Sequence, residues 1–452
     1  MKKKSKHIVI LIIAIVFINL ISSLVFKRFD LTSDKRYTLS EATLDIIDKS
    51  ESPIVIDVFL KGEGFPSEFK RLQNETKQLL EEFAAHNRNI KFEFINPLEE
   101  ESSRDQNIQF LRKRGLTPMQ LSVQENGKST QEVIFPWALA SYNLDTVAIS
   151  LIKNKIGGSQ QELVSNSVQH LEYAFSDGFS KLINSKKQKI AILKGNGELE
   201  DQYIFDAVKK LSEYYYIAPF TLDSVSVNPE KSLKELNNFD LIIAAKPTES
   251  FSEEEKYVLD QYAMNGGKSL WLIDKVVIEK DSLYNEYGKS FAIPRDLNLT
   301  NFFFKYGVRI NPVLVSTLYS VPITLAIGEG SDSQFQHLQW PYSPLASTNS
   351  NHPIVNNLNL VKFDFANQID TLKNSIKKTI LLESAPLTKI DGTPREISLE
   401  LVTVKQDPMV FTKGNQPLAV LLEGQFTSVY KNRIKPFNLS IFIKQLKIFL
   451  KK

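Results

Sequence analysis

The chain has 452 residues, and its 55 basic and 52 acidic side chains leave a net charge of +3. Charges balanced in this way form no basic face, which argues against nucleic-acid binding. The sequence contains no cysteine, which excludes disulfides, thiolate metal ligands and a cysteine nucleophile. A hydrophobic content of 42% is enough for folded cores, and the length predicts two or three domains.

The first element along the chain is an uncharged, apolar run over residues 8–26 that follows four lysines. As a helix, this run is long enough to cross the hydrocarbon core of a bilayer. A cleaved secretory signal is the alternative, but Phe26, Lys27 and Arg28 replace the small residues of a cleavage site. We therefore expect residues 1–28 to be a cytoplasmic tail and a retained anchor in membrane lipid, with the rest of the chain exported.

A membrane-proximal collar is predicted over residues 29–52, where Ser40 caps a short helix. A first α/β domain is predicted over residues 53–158 and begins with a strand at Pro53–Leu60, a helix, and a second strand at Ile90–Pro97. This β-α-β unit predicts two parallel strands joined by a right-handed crossover.

A short helix and two further strands complete this domain, so the order β-α-β-α-β-β resembles a thioredoxin-like fold. Thr117 and Pro118 stand where that fold places a cis-proline before its third strand. The chain has no Cys-x-x-Cys motif, so thiol redox chemistry is excluded. The edge at Pro118 remains a candidate surface for receiving a partner segment.

A long amphipathic helix is predicted over residues 159–187 as a linker between domains. Residues 188–437 then predict a second α/β domain, whose alternating strands and helices indicate a mainly parallel, doubly wound sheet. Ser252 and Glu255 form a capping box that predicts the start of one helix. From about residue 300 the pattern becomes strand-rich. These strands could extend the same sheet or form a small β subdomain.

The main candidate ligand site is the turn Gly195, Asn196, Gly197 and Glu198, which follows the first strand of the second domain. Backbone N–H groups at the carboxyl end of a parallel strand can hold an anion. The favoured alternative is a tight strand-to-helix turn that needs positive φ angles. Glutamine-amidotransferase-like folds have a related layout with a cysteine nucleophile, which this chain lacks.

Trp340 and Tyr342 lie in a loop of the strand-rich region and are candidates for an exposed partner surface, since aromatic residues anchor many interfaces. A plug in the core is the alternative. The five histidines are isolated, and neither a P-loop nor a G-x-S-x-G motif occurs. We therefore assign no catalytic, metal-binding or cofactor-binding residue.

Several segments together resemble the GldG family, the gliding-motility auxiliary component of a bacterial ABC transporter. They are FDLTSDKRYTLSEAT, LKGNGELED, YVLDQYAMNGGKSLWLID and HPIVNNLNLVKFDFANQIDTL. The resemblance implies a protein of the bacterial inner membrane with its bulk in the periplasm. It also implies permease and ATPase subunits and motility machinery as partners.

The chain departs from that family after Phe437. The family continues to a second membrane helix, whereas residues 438–452 are a basic tail too short and too charged to span a bilayer. We interpret the tail as a sign of a truncated product. The sequence thus predicts a non-catalytic, membrane-anchored auxiliary component that offers α/β domains for docking. The alternatives are a periplasmic solute-binding receptor and, third, a hydrolase or amidotransferase-like enzyme using Glu198 or Asp201.

Overall fold

A computed structural model describes residues 39–62, 65–125, 128–153, 159–184, 186–328, 333–356 and 358–437. The chain divides into two compact units, residues 1–185 and 186–452. The predicted anchor and the basic tail lie outside the described residues. None of the helices in the described part of the chain is long and apolar enough to cross a membrane.

The described part of the first unit contains helices and two kinds of strand pairing. The helices are α1 (Glu41–Ile47), α2 (Ser67–His86), α3 (Arg104–Lys113) and α4 (Gln160–Ile183). The strands are β1 (Ile54–Val58), β2 (Ile90–Phe94), β3 (Met119–Glu125), β4 (Lys128–Ile134), β5 (Trp137–Tyr142) and β6 (Asp145–Ser150). Four strands form a sheet in the order β2-β1-β5-β6, and β3 and β4 form a separate hairpin. β1 and β2 are parallel, and β5 runs antiparallel to β1 and β6.

Local sequence signals explain why these elements form where they do. The Ser40 side chain accepts a hydrogen bond from the Thr43 backbone N–H, so the predicted cap of α1 is confirmed. The apolar stripe of α2 packs on the sheet, and the ring of Phe83 meets the rings of Phe175 and Phe179 on α4. The predicted β-α-β unit is confirmed, because β1 and β2 are parallel neighbours.

The strand that follows Pro118 is not a strand of the main sheet. It is β3, which pairs with β4 in the hairpin, whereas the sheet takes β5 and β6 instead. The expected cis-proline at Thr117 and Pro118 is wrong, since in the described ranges the cis peptide bond joins Thr393 and Pro394. β5 and β6 escaped sequence prediction because alanines in both strands weaken the β-branched signal on which such predictions depend. Helix α4, predicted as a linker, packs into the core of the first unit.

The second unit is built on a parallel sheet. Its strands are β7 (Lys189–Lys194), β8 (Tyr216–Thr221), β9 (Leu241–Ala245) and β10 (Lys268–Leu272), in the order β10-β9-β7-β8. Its helices are α5 (Asp201–Ser212), α6 (Pro229–Leu236), α7 (Glu253–Met264) and α8 (Thr300–Tyr306). Helix α5 packs on one face of the sheet and the other three pack on the opposite face, so the predicted parallel sheet with helices on both faces is confirmed.

Helix α7 begins at its predicted cap, whereas helix α5 buries less of its apolar surface than its sequence suggests. Ser252 and Glu255 form the predicted capping box at the start of α7, and Gly266 follows the helix with a φ of +91°. On α5, the apolar residue Phe205 is 61% exposed. The buried stripe of this helix is therefore narrower than its apolar residues suggest.

The strand-rich region is separate from the parallel sheet. Its strands are β11 (Val276–Val277), β12 (Lys289–Pro294), β13 (Val308–Ile310), β14 (Val313–Thr317), β15 (Ile323–Ile327), β16 (Gln334–Leu338), β17 (Leu345–Ala346), β18 (Val361–Lys362), β19 (Ile369–Thr371), β20 (Lys377–Glu383), β21 (Thr388–Gly392), β22 (Arg395–Ser398) and β23 (Pro417–Glu423). They form the sheet β11-β12-β22 and five antiparallel pairs, and among the described residues none joins β7 to β10. Of the two arrangements that the sequence left open, the structure has separate β pairs.

Candidate functional site at the carboxyl edge of the parallel sheet

The order of the parallel strands places two loops side by side. β7 lies between β8 and β9, so the chain leaves β7 toward one side for β8 and returns to the other side for β9. At such a switch point the loops after the two neighbouring strands diverge and leave a crevice in which α/β proteins bind ligands. Here those loops are Gly195–Glu198 after β7 and Lys246–Glu249 after β9.

The two loops are joined by hydrogen bonds that close the crevice. The Asn196 carbonyl accepts from the backbone N–H groups of Thr248 at 3.0 Å and Glu249 at 2.9 Å. The Thr248 hydroxyl donates to the Gly197 carbonyl at 2.9 Å. Gly195 and Gly197 have φ angles of +113° and +69°, which explains why glycine is needed at both positions.

The Glu198 carboxylate occupies the turn from within. Its Oε2 accepts from the Asn196 N–H at 2.8 Å, and its buried Oε1 has no hydrogen-bond partner. Burial raises the pKa of Glu198, while hydrogen bonds from backbone N–H groups oppose the shift. The Asn196 side chain donates in turn to Glu255 at 3.3 Å, which ties the turn to the start of α7. The turn thus uses its own carboxylate where an external anion was considered, and its two positive φ angles agree with the favoured alternative of a tight strand-to-helix turn.

Glu198 and Asp201, the two carboxylates considered for catalysis, belong to different networks. Asp201 is exposed and forms an ion pair with Lys194, with 2.8 Å between Oδ1 and Nζ. Lys194 also donates to the Leu199 carbonyl at 2.7 Å, so it holds the start of α5 against the end of β7. Lys194 and Asp201 therefore have a structural role at the start of α5, which accounts for their presence without catalysis.

A second charged group at the same edge was missed by the sequence interpretation. Lys246, the first residue after β9, has a φ of +55°, a conformation that costs energy for a residue other than glycine. Its ammonium group lies 2.7 Å from Glu279 and 3.4 Å from Asp274. Burial raises the pKa of Asp274, although the charge of Lys246 opposes this shift. No sequence motif predicts this cluster, because only the fold brings Lys246, Asp274 and Glu279 together.

Trp340 and Tyr342 do not form an exposed partner surface. Trp340 is 0% exposed and Tyr342 is 3% exposed, and their rings lie 5.7 Å apart in the core of the strand-rich region. The Tyr342 hydroxyl donates to the buried Asp391 carboxylate at 3.0 Å, and burial beside that charge raises the pKa of Tyr342. The prediction of a surface is therefore wrong, and the alternative of a core plug is confirmed. An apolar environment stabilises both rings more than exposure to water does.

Pro118 belongs to a different unit from the other candidate residues. It is half-buried and precedes the β3–β4 hairpin of the first unit, whereas the glycine turn belongs to the second unit. Within the described residues, no group of three or more His, Asp or Glu side chains could hold a metal ion.

A small pocket opens beyond the end of β10. Five apolar side chains line it together with Lys275, Thr300 and Arg309. The Lys275 ammonium donates to the Thr300 hydroxyl at 3.2 Å, and Arg309 bonds to Asp370. The pocket therefore combines apolar walls with a cationic rim, one residue of which already has a carboxylate partner.

Comparison with known proteins places most of the second unit in a described family. Residues 187–448 match the sequence model of a family described as an ABC-type uncharacterized transport system, and residues 33–141 match a domain family of unknown function. An uncharacterized protein of Borreliella burgdorferi is 20% identical over 427 residues, which cover 93% of this chain and 77% of that protein. A solved structure, the mmIFT52 N-terminal domain, has a TM-score of 0.31 and 14% identity over 46% of this chain and 77% of its own. That structural likeness is too low to assign a fold.

Proposed function

Because the chain belongs to the family of ABC-type uncharacterized transport systems, we propose that it is a non-catalytic auxiliary component of a bacterial ABC transporter. The match over residues 187–448 carries this proposal, since it covers more than half of the chain. We further propose that it works with gliding motility as a GldG-type component. The segments quoted above, from FDLTSDKRYTLSEAT onward, support that narrower assignment.

A docking role is supported by the way the candidate site is filled. At the carboxyl edge of the parallel sheet, Glu198, Asp201 and Lys194 are each engaged with groups of their own chain. A catalytic site instead requires groups within hydrogen-bond reach of a substrate position. We therefore propose that the second unit contributes surfaces to transporter subunits rather than reacting groups.

We also propose a thioredoxin-like fold for the first unit and an amidotransferase-like fold for the sheet of the second. The first is supported by the sheet order β2-β1-β5-β6, in which β5 and β6 take the place predicted for the strands after Pro118. The second is supported by four parallel strands with helices on both faces. In a chain without cysteine, both folds serve as scaffolds.

Affinity isolation tests the partner assignment. The full-length chain with a carboxyl-terminal tag is expressed in its native host, extracted in mild detergent and analysed by mass spectrometry. We expect a permease and an ATPase subunit to be enriched over an untagged control. A matched variant without residues 8–26 should lose both partners if the anchor brings the subunits together. Recovery of neither subunit with the full-length chain contradicts the proposal.

We propose that residues 8–26 anchor the chain in the bacterial inner membrane with its bulk in the periplasm. The uncharged run and its length support this location. After alkaline carbonate washing, the chain should stay in the membrane pellet. A reporter fused after Phe437 should be active in the periplasm. Release by carbonate, or a reporter active only in the cytoplasm, contradicts the proposal.

The link to motility is tested separately by deletion of the gene in the native host. Loss of surface spreading, restored by the intact gene on a plasmid, is the expected outcome. Normal spreading of the deletion strain contradicts the GldG-type assignment but leaves the transporter proposal standing.

A solute-binding receptor is the second candidate, and the pocket lined by Lys275, Thr300 and Arg309 favours it. A receptor should gain thermal stability when its solute occupies the site. Thermal unfolding of the full-length chain with sugars, peptides and small anions tests this candidate. A rise in Tm with one ligand class supports it, and unchanged Tm values with all of them remove it.

A further inference from the structure

Two cationic side chains lie opposite each other next to the carboxyl edge of the parallel sheet. Strands β11 and β12 pair antiparallel, with Val277 opposite Ile293 and Val276 opposite Pro294. The Arg295 N–H donates to the Lys275 carbonyl at 2.8 Å, which extends this pairing by one position. Lys275 therefore lies opposite Arg295. Opposite residues of an antiparallel pair project from the same side, and like charges in that position repel each other.

Both cations are largely removed from water. Arg295 is 8% exposed, and its buried NH1 nitrogen has no hydrogen-bond partner. The Lys275 side chain is 14% exposed. Burial lowers the pKa of Lys275, and the charge of Asp296 only partly opposes that shift. An unpaired buried charge is among the most unfavourable features a folded protein can have, so this arrangement calls for a compensating group.

The carboxylates nearby do not supply that group. Asp296 lies 3.9 Å from the Lys275 ammonium, at the limit of an ion pair, and its side chain is 87% exposed. The charge of Arg295 favours the ionised form of Asp274, but Asp274 forms its ion pair with Lys246. In the ranges of the chain that the structure describes, no carboxylate forms an ion pair with Arg295.

The position of the cation pair is one where α/β proteins bind ligands. Lys275 follows the end of β10 by three residues, so the pair stands at the carboxyl edge of the sheet. Lys275 also lines the small pocket beyond β10, which gives its ammonium group access from solvent. Arg295 does not line that pocket, so an anion that enters past Lys275 reaches the buried NH1 nitrogen only after a local movement of side chains.

We propose that Lys275 and Arg295 bind a small oxyanion, a phosphate or carboxylate group of a solute. The planar guanidinium group offers two parallel N–H donors that match the oxygens of either anion, and the ammonium group adds a point charge beside them. The anion satisfies the buried NH1 nitrogen and separates the two like charges. This site does not depend on the proposed transporter role, since it needs no partner subunit.

Calorimetric titration of the full-length chain in detergent tests the site. Inorganic phosphate and acetate are titrated separately at constant ionic strength with chloride as the balancing anion. We expect one of them to bind the wild-type chain with a stoichiometry of one. The anion that binds identifies the ligand group as phosphate or carboxylate. Absence of binding with both anions overturns the proposal without the need for any variant.

Substitutions separate this site from general charge attraction. Lys275→Met should weaken binding by about tenfold or more, because it removes a charge-assisted hydrogen bond from a site largely closed to water. Lys289→Met is the matched control, since Lys289 lies on β12 but pairs with Glu396 at 3.6 Å. It should leave the Kd unchanged. Equal weakening by both variants, or no weakening by Lys275→Met, contradicts the assignment. Arg295→Met tests the second cation, provided that the circular dichroism spectrum of the variant matches that of the wild type.

Discussion

Replacing Gly197 with alanine tests the close packing of the two loops at the carboxyl edge of the parallel sheet. Gly197 has a φ of +69°, and a Cβ atom there would lie 2.1 Å from the Thr248 hydroxyl oxygen. Two costs therefore add. An L-residue in the left-handed region costs about 1–2 kcal/mol, and moving the Thr248 hydroxyl removes its hydrogen bond to the Gly197 carbonyl, worth about 0.5–1.5 kcal/mol. We expect Gly197→Ala to lower the free energy of unfolding by about 1.5–3.5 kcal/mol.

Gly266→Ala is the matched control for this substitution. Gly266 has a φ of +91°, but a Cβ atom there meets nothing within 4 Å. It should show the cost of the backbone conformation alone, about 1–2 kcal/mol. The difference between the two variants then measures the clash with Thr248.

A double-mutant cycle isolates that clash further. In a Thr248→Ala background the obstructing oxygen is absent, so Gly197→Ala should cost less than it does in the wild-type chain, while the Glu249 Cγ at 3.1 Å stays as a tight contact. The assay is hydrogen–deuterium exchange of peptides from β7 and β9 at increasing urea, because a chain with two compact units need not unfold in one step. If Gly197→Ala and Thr248→Ala prove additive, or if Gly197→Ala costs no more than Gly266→Ala, the reasoning from loop packing is refuted.

Three further predictions concern buried groups of the second unit. Asp260→Asn should destabilise it by about 2 kcal/mol or more, since the buried carboxylate accepts hydrogen bonds from Tyr306 and Ser428; faster proteolysis near residue 428 is the measurement, and an unchanged rate contradicts the prediction. Burial opposes ionisation of Asp391, but the hydrogen bond from Lys389 and nearby positive charge outweigh it and lower its pKa below 3.8. Its contribution to stability is therefore present above the unfolded pKa and lost as the pH falls through the lower folded value, so Asp391→Asn should flatten the acid limb of a stability–pH curve; an unaltered limb refutes this. Trp340→Ala should cost about 3–5 kcal/mol in urea unfolding, because it empties a fully buried site; a loss below about 1 kcal/mol is expected only for an exposed side chain.

Local signals in the sequence were enough to predict several elements. The capping box at Ser252 and Glu255 and the cap at Ser40 depend on residues only three positions apart, so they survive in any tertiary context. The parallel sheet of the second unit was likewise predicted, because buried parallel strands leave apolar runs between amphipathic helices. The candidate turn at Gly195–Glu198 was placed correctly for the same reason.

Local sequence signals could not predict which distant segments pair or pack with each other. Pro118 was placed before a strand of the main sheet, but pairing across the chain gives that position to β5 and leaves β3 in a hairpin. From its sequence, Trp340 could be either a surface anchor or a core residue. Only its packing against Tyr342 and the neighbouring core residues shows that it is buried. Burial depends on neighbours that are far away in the sequence.

By itself the sequence determined a mixed α/β protein without sulfur chemistry, with an apolar amino-terminal run and a parallel sheet in its second half. These properties follow from composition and periodicity, which each segment carries locally. The tertiary structure alone decided that Glu198 fills its own turn and that Lys275 lies opposite Arg295. The first contact lies within one turn, but its burial depends on the loop after β9, which bonds to the Asn196 carbonyl. The second is set by the register of β11 and β12, and register is a property of the folded chain as a whole.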